Sequence, residues 1–170
     1  MTNERRQDLL SYLQTHWHAP QKDRRTFAAK ACGSAPLPSA AAEACMDSAS
    51  LQELIGQLDE SFTEMLLRKI DEKGLTDAQC YKKANIDRKL FSKIRSDLHY
   101  RPSKPTAIAL AIALELSPEE TDELLSKAGF ALSRSSKFDV IISYFVENRC
   151  YDLAQINEAL YEFDQPLLYV

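Results

Sequence analysis

Apolar residues recur every three or four positions through most of the chain after residue 60, which is the spacing of amphipathic helices. Between Thr76 and Ser96 this pattern is interrupted once, around Asn85. Thr76 and Gln79 form a capping box, so we expect a helix to begin there. Asn85 tolerates the left-handed conformation that ends many helices, so we expect this helix to end at that residue. The pattern predicts a short helix followed by a tight turn.

A second helix is predicted from Asp87, its N-cap residue, through Ser96. The side chain of Ile86, in the turn before it, is expected to be buried. Residues three and four positions apart share one face of a helix. The apolar face here is Leu90, Phe91 and Ile94, and the opposite face, called the basic front below, is Arg88, Lys89, Ser92 and Lys93. A short helix, a tight turn and a helix with an apolar back form the layout of a helix-turn-helix.

Short motifs at the turns extend this interpretation. They are Gly-Leu-Thr at 74–76, Asn-Ile-Asp-Arg at 85–88, Arg-Pro-Ser at 101–103 and Ala-Leu-Glu-Leu-Ser at 113–117. With these motifs, the region from roughly Ser61 to Gly129 resembles the phage-repressor (Cro/C1, or xenobiotic-response-element) type of helix-turn-helix domain. The resemblance implies a lambda-repressor-like helical bundle in which the helices at 76–84 and 87–96 lie on DNA, the second one in the major groove.

Three positions depart from the pattern of that family. Asp77 stands where the family usually has a Gln that helps to position the domain on the DNA backbone. Tyr81 stands where a small residue is preferred at the elbow, and Asn85 where the turn usually has glycine. A carboxylate repels phosphate, and a bulky elbow side chain would splay the two helices. Asp77 and Tyr81 therefore favour a second interpretation, a protein-interaction module on the same scaffold, whereas Asn85 is a milder change.

The flanking sequence predicts more helices around this pair. Capping boxes at Ser61 and Ser117 open helices that should end at Gly74 and Gly129. Residues 105–116 are apolar on nearly every side, so their helix should be the buried pillar of the bundle.

Two extra C-terminal helices are predicted, one over 136–148 and one that begins after Asp152. The first contains a β-branched run that would suit a strand, but no partner strand is predicted elsewhere, so we expect a helix. This pair is expected to close the core, and a homodimer face is the alternative. The expected fold is therefore an all-α, compact helical bundle.

The N-terminal part of the chain differs in composition. Leu9, Leu10, Leu13 and Trp17 are at helical spacing, so residues 1–27 are expected to be an amphipathic helical segment that serves as a tether, a docking peptide or a mobile tail. Ala, Ser and Pro dominate the next stretch of the chain. We therefore predict a flexible, disordered linker over 28–49 and a helical domain over 50–170.

Charge is distributed unevenly along the chain. The net charge of all 170 residues is −4, yet the stretch from Lys82 to Lys104 holds eight basic residues and only two acidic ones. A basic patch on an acidic body suits a local polyanion site. We predict that the basic front contacts base edges and that the flanking residues contact phosphates. These flanking residues are Lys82, Lys83, Arg95, Tyr100, Arg101 and Lys104.

Catalytic and metal-binding patterns are missing from the sequence. It has no Gly-rich phosphate loop, no H-E-x-x-H motif and no nucleophile elbow, and its four cysteines form no C-x-x-C pair. We therefore expect no enzyme activity, no cofactor and no metal. No apolar run is long enough for a signal peptide or a membrane span, so we expect a cytoplasmic protein that does not enter a membrane.

Two functions of different classes remain. The favoured one is sequence-specific binding of double-stranded DNA by a transcriptional regulator, because the basic cluster coincides with the helix-turn-helix pattern. The alternative is a non-catalytic protein–protein interaction module that binds its partner through the N-terminal helix or the C-terminal helices.

Overall fold

The computed structural model describes residues 3–17 and 60–168, which pack as one unit. Every regular element in these ranges is an α-helix, which confirms the all-α prediction. The helices are α1 (Asn3–His16), α2 (Phe62–Glu72), α3 (Asp77–Lys83), α4 (Arg88–Ser96), α5 (Lys104–Ala113), α6 (Pro118–Lys127), α7 (Lys137–Glu147) and α8 (Leu153–Glu162). In these ranges no helix has the length and apolar character needed to cross a membrane. The predicted linker and the predicted domain start at residue 50 lie outside the described residues.

Helices α3 and α4 begin and end close to the residues that the sequence indicated. The hydroxyl of Thr76 accepts a hydrogen bond from the backbone N–H of Gln79, whose side chain in turn accepts one from the backbone of Thr76. Asn85 has a φ of 53°, and Ile86 is buried in the turn. Asp87 occupies the N-cap of α4 without a capping hydrogen bond. The predicted N-cap position of Asp87 is therefore confirmed, although its exposed carboxylate makes no hydrogen bond to the first turn.

Helix α5 lies at the centre of the bundle. Every side chain from Thr106 to Leu114 is buried, and the neighbouring helices α3 and α6 pack against it. The hydroxyl of Ser103 accepts from the backbone N–H of Thr106, and Pro105 fits the first turn because no donor is needed there. The prediction of a buried pillar is confirmed.

The C-terminal helices pack on each other and on this core. The β-branched run lies within α7, and Phe138 and Phe145 are buried. Helix α7 contacts α6, α8 and α1. A second copy of the chain is not needed to cover these phenylalanines, and a homodimer remains a prediction.

Helix α1 is packed on the bundle, whereas the sequence suggested a tether, a docking peptide or a mobile tail. It contacts α7 with Leu9 and Leu13 buried, and the rings of Tyr12 and Tyr144 meet edge-on at 5.2 Å between centroids. Leu10 is 39% exposed, so a single stripe of α1 supplies the buried surface. Removal of this apolar stripe from water favours the packed position.

One buried lysine connects α2 to α6. Lys69 is 8% exposed, and its Nζ lies 2.7 Å from the carboxylate of Glu120 and 3.1 Å from that of Glu72. The hydrogen bond to Glu120 raises the pKa of Lys69. Lys69, and after it the backbone of Ser117, holds the pKa of Glu120 below its ordinary value. The two charged forms therefore stabilise each other.

This pair predicts a pH-dependent cost for Glu120→Gln. A carboxyl group with a depressed pKa in the folded state stabilises the fold above its unfolded pKa of about 4.3 and loses that effect as the pH falls. Glutamine keeps the capping hydrogen bond at this position but carries no charge. We expect a lower Tm than wild type at pH 7 and a smaller difference at pH 3, measured by circular dichroism melts.

Glu64→Gln is the matched control for that experiment. Glu64 fills the same position in the capping box of α2, but it makes no ion pair in the described part of the chain. Its substitution should cost less at pH 7. An equal loss of Tm in the two variants would contradict the role assigned to the Lys69–Glu120 pair.

Candidate nucleic-acid interface

Helix α4 is held on the bundle by its apolar back. Phe91 and Ile94 are buried and Leu90 is half-buried. The hydroxyl of Thr63 on α2 lies 3.2 Å from the carbonyl oxygen of Ile94 and 3.1 Å from that of Asp97. The last turn of a helix leaves such carbonyls without intrahelical partners. The core and this hydroxyl therefore hold α4 on the bundle without a contribution from Arg88, Lys89 or Ser92.

The basic front of α4 faces solvent along its whole length. Arg88, Lys89, Ser92 and Lys93 are all exposed. The Nζ of Lys93 lies 5.5 Å from the ring centroid of the half-buried Tyr100, which is a cation–π contact. Within the described ranges, the side chains of the other three form no hydrogen bond or ion pair. The four residues predicted at base edges therefore form one continuous polar surface.

The six residues predicted to contact phosphates divide into two groups. Lys82 and Arg101 are exposed and unpaired within the described ranges, and Tyr100 lies beside Lys93. The other three cations are each paired with a carboxylate. Lys83 lies 3.0 Å from Glu115, Arg95 pairs with Asp77, and Lys104 pairs with Asp139.

Lys104 has a structural role that the sequence did not indicate. Its Nζ lies 2.7 Å from each carboxylate oxygen of Asp139 and 2.8 Å from the carbonyl oxygen of Ala131. Asp139 is 3% exposed and also accepts from the backbone N–H of Ser133. The ammonium group donates hydrogen bonds to Asp139 Oδ2 and to the carbonyl oxygen of Ala131, whereas Asp139 Oδ1 is in the ion pair but accepts no hydrogen bond in the described part of the chain. Lys104 therefore connects α5 to α7, so it differs from the free phosphate contact that the sequence predicted.

The three departures from the family pattern each have a local explanation. The ion pair between Asp77 and Arg95 connects the start of α3 to the end of α4 and compensates the carboxylate charge. Tyr81 is half-buried, and its ring centroid lies 5.9 Å from that of Phe91, so the ring belongs to the packing between the two helices. Asn85 adopts the left-handed conformation that glycine would supply.

Comparisons with known proteins found no similar protein. No family model matches the chain, and neither a curated protein nor a solved structure matches it. The helix-turn-helix resemblance therefore rests on the residues and turns of this chain alone, and it remains a prediction.

Several residues that shape this surface were not found from the sequence. Thr63 contacts the end of α4 across 31 positions of sequence, and Glu115 receives Lys83 across 32. Both residues lie within short local motifs, but such a motif does not indicate a partner that is distant in sequence, so neither contact was expected. No group of three or more His, Cys, Asp or Glu side chains in the described ranges is arranged to hold a metal ion.

Lys104→Met tests the structural role of this lysine. Removal of the ammonium group leaves Asp139 buried without its counter-ion, which costs about 3 kcal/mol of stability when a buried pair is broken in this way. We expect a clearly lower urea midpoint. Arg101→Met is the matched control, since Arg101 is exposed and unpaired in the described part of the chain. Similar urea midpoints for the two variants would contradict the structural role of Lys104 and indicate that it behaves as an ordinary surface cation.

Proposed function

We propose that this protein is a sequence-specific DNA-binding protein, acting as a transcriptional regulator, with the basic front of α4 in the major groove. The observation that carries the proposal is the arrangement of α4 itself. Phe91 and Ile94 fix the helix from behind, while Arg88 and Lys89 are exposed and unpaired in the described ranges. An Arg or Lys side chain on such a helix can donate two hydrogen bonds to the O6 and N7 of guanine, and Ser92 can pair with either base type.

Phosphate contacts would come from both sides of this helix. Lys82 precedes the turn and Arg101 follows α4, and both are exposed. Lys83 and Arg95 are paired with carboxylates, with side chains that are 49% and 57% exposed. Exposed ion pairs contribute little stability, so these two cations can exchange a carboxylate for a phosphate at small cost. Lys104 is left out of the proposed interface because Asp139 and Ala131 already bind it.

The charge of the whole chain agrees with a local DNA site. The eight basic residues between Lys82 and Lys104 contrast with a net charge of −4 for all 170 residues. A positive patch attracts the phosphate backbone at long range, and a negative remainder disfavours contact through other faces. The chain would then approach DNA with the surface that carries α4.

A protein-interaction module is the second candidate, and one observation favours it. A surface groove of about 700 Å³ lies between the end of α3 and α8, with Lys83, Asn85, Leu153 and Tyr161 in its lining. Tyr161 is 75% exposed, and large exposed aromatic side chains are typical of protein interfaces. This candidate needs no contact between the basic front and DNA.

Two variants separate base recognition from phosphate contact. We expect Arg88→Ala to lose about 1–3 kcal/mol on the preferred site and little on random duplex, because a base-edge pair is lost. We expect Arg101→Ala to weaken binding to all duplexes and to reduce the slope of log K against log[salt] by about 0.9, because one phosphate contact is lost. Selection from random oligonucleotides supplies the preferred site, and fluorescence anisotropy at several salt concentrations measures the binding.

Arg149→Ala is the control for charge alone, since Arg149 is an exposed arginine between α7 and α8, outside the basic front, and its side chain makes no hydrogen bond or ion pair in the described part of the chain. It should bind DNA as wild type does. Absence of duplex binding by wild type at low salt would overturn the proposal and favour the interaction module. The same conclusion would follow if Arg88→Ala and Arg101→Ala both bound DNA like wild type.

A further inference from the structure

A polar cleft lies where α1, α6 and α7 meet the loop at 130–136. Its main part has a volume of about 170 Å³ and is lined by residues that include Tyr12, Asp122, Arg134 and Glu147. A smaller part of about 60 Å³ shares Asp122 and Glu147 and reaches Thr121. The proposed DNA contacts use none of these residues.

Groups of both charges face each other in this cleft. Asp122 on α6 and Glu147 on α7 supply two carboxylates, and Arg134 in the loop supplies a guanidinium group. Tyr12 on α1 lines the cleft as well, and its pKa is raised by burial and then by the Glu147 carboxylate, while Arg134 acts in the opposite direction. A carboxylate can accept several hydrogen bonds, so Glu147 can accept from the ammonium group of a ligand. Asp122 and Arg134 form no ion pair within the described ranges.

The side chain of Thr121 gives a second, independent indication that a polar ligand binds in this cleft. Its side chain is 1% exposed, and its hydroxyl oxygen has no hydrogen-bond partner within the described part of the chain. Most buried polar side-chain atoms in folded proteins are hydrogen-bonded, and an unsatisfied one costs about 1–3 kcal/mol. Because Thr121 lines the smaller part of the cleft, a polar molecule there could satisfy this hydroxyl.

The size of the cleft restricts what it can hold. Sites for drug-sized ligands and cofactors measure roughly 300–1,000 Å³, so 170 Å³ is too small for a nucleotide. A ligand with one ammonium group, one carboxylate group and a short side chain is of this size.

We propose that this cleft binds a small zwitterion of the α-amino acid class. The carboxylate of the ligand is recognised by Arg134, whose planar guanidinium suits a carboxylate, and its ammonium group is recognised by Asp122 and Glu147. Leu132 and Val140 supply an apolar wall for a short side chain. A simple anion is disfavoured by the two carboxylates, and a simple cation by the guanidinium. This proposal does not depend on the DNA-binding function.

Thermal shift of the full chain, without DNA, tests the proposal. The probes are the free amino acids, each at about 10 mM. A ligand with a Kd of about 1 mM changes the unfolding equilibrium about elevenfold at this concentration and raises Tm by about 3 °C or more. We expect at least one amino acid to do so. Its carboxamide and its N-acetyl derivative, which each lack one charge, should give little or no shift.

Substitutions of cleft residues test whether the increase in Tm comes from binding in the cleft. Arg134→Met and Asp122→Asn change exposed side chains and should fold, yet each should abolish most of the shift. The matched controls are Arg101→Met and Asp71→Asn, which alter exposed residues of the same types outside the cleft and should keep the full shift. The proposal is overturned if no amino acid raises Tm, if both blocked derivatives act like their parent, or if the shift survives in both cleft variants.

Discussion

The burial of α5 is the constraint on which the rest of the described structure depends. This helix has no polar side, so water must be excluded from every face of it at once. Its alanines allow neighbouring helices to approach closely, while Ile108, Leu110 and Ile112 fill the remaining space. Helices α3 and α6 pack directly on it, and α4 and α7 are connected through them. The position of the basic front is therefore a consequence of how this apolar helix is covered.

Ion pairs are the second constraint on the structure. They distinguish the cations that join two helices from the cations that remain exposed. Lys69 and Lys104 each meet a carboxylate where little water reaches, so they join helices that are distant in sequence. Arg88 and Lys89 have no such neighbour in the described ranges and remain exposed. The same residue types therefore have different roles, according to whether the packed core brings a carboxylate to them.

Local signals were sufficient for most helix boundaries. Thr76 with Gln79 and Ser117 with Glu120 cap the helices that they were expected to cap, and Asn85 adopts the predicted left-handed conformation. A capping box involves atoms only three residues apart, so the tertiary structure changes it little. Asp87 also occupies its predicted N-cap position, but its exposed carboxylate makes no capping hydrogen bond there. The basic front was also predictable, since it needs only the helical period.

The sequence by itself determined the all-α class, the buried pillar and the clustering of basic residues, because each follows from neighbours within one or two helical turns. Only the tertiary structure decided which cations are paired, since Lys83 and Lys104 find their carboxylates 32 and 35 positions away. It also decided that α1 covers α7 and that Asp122, Arg134 and Glu147 share one cleft. These contacts depend on how whole helices pack, and the periodicity of a single helix contains no information about its partner.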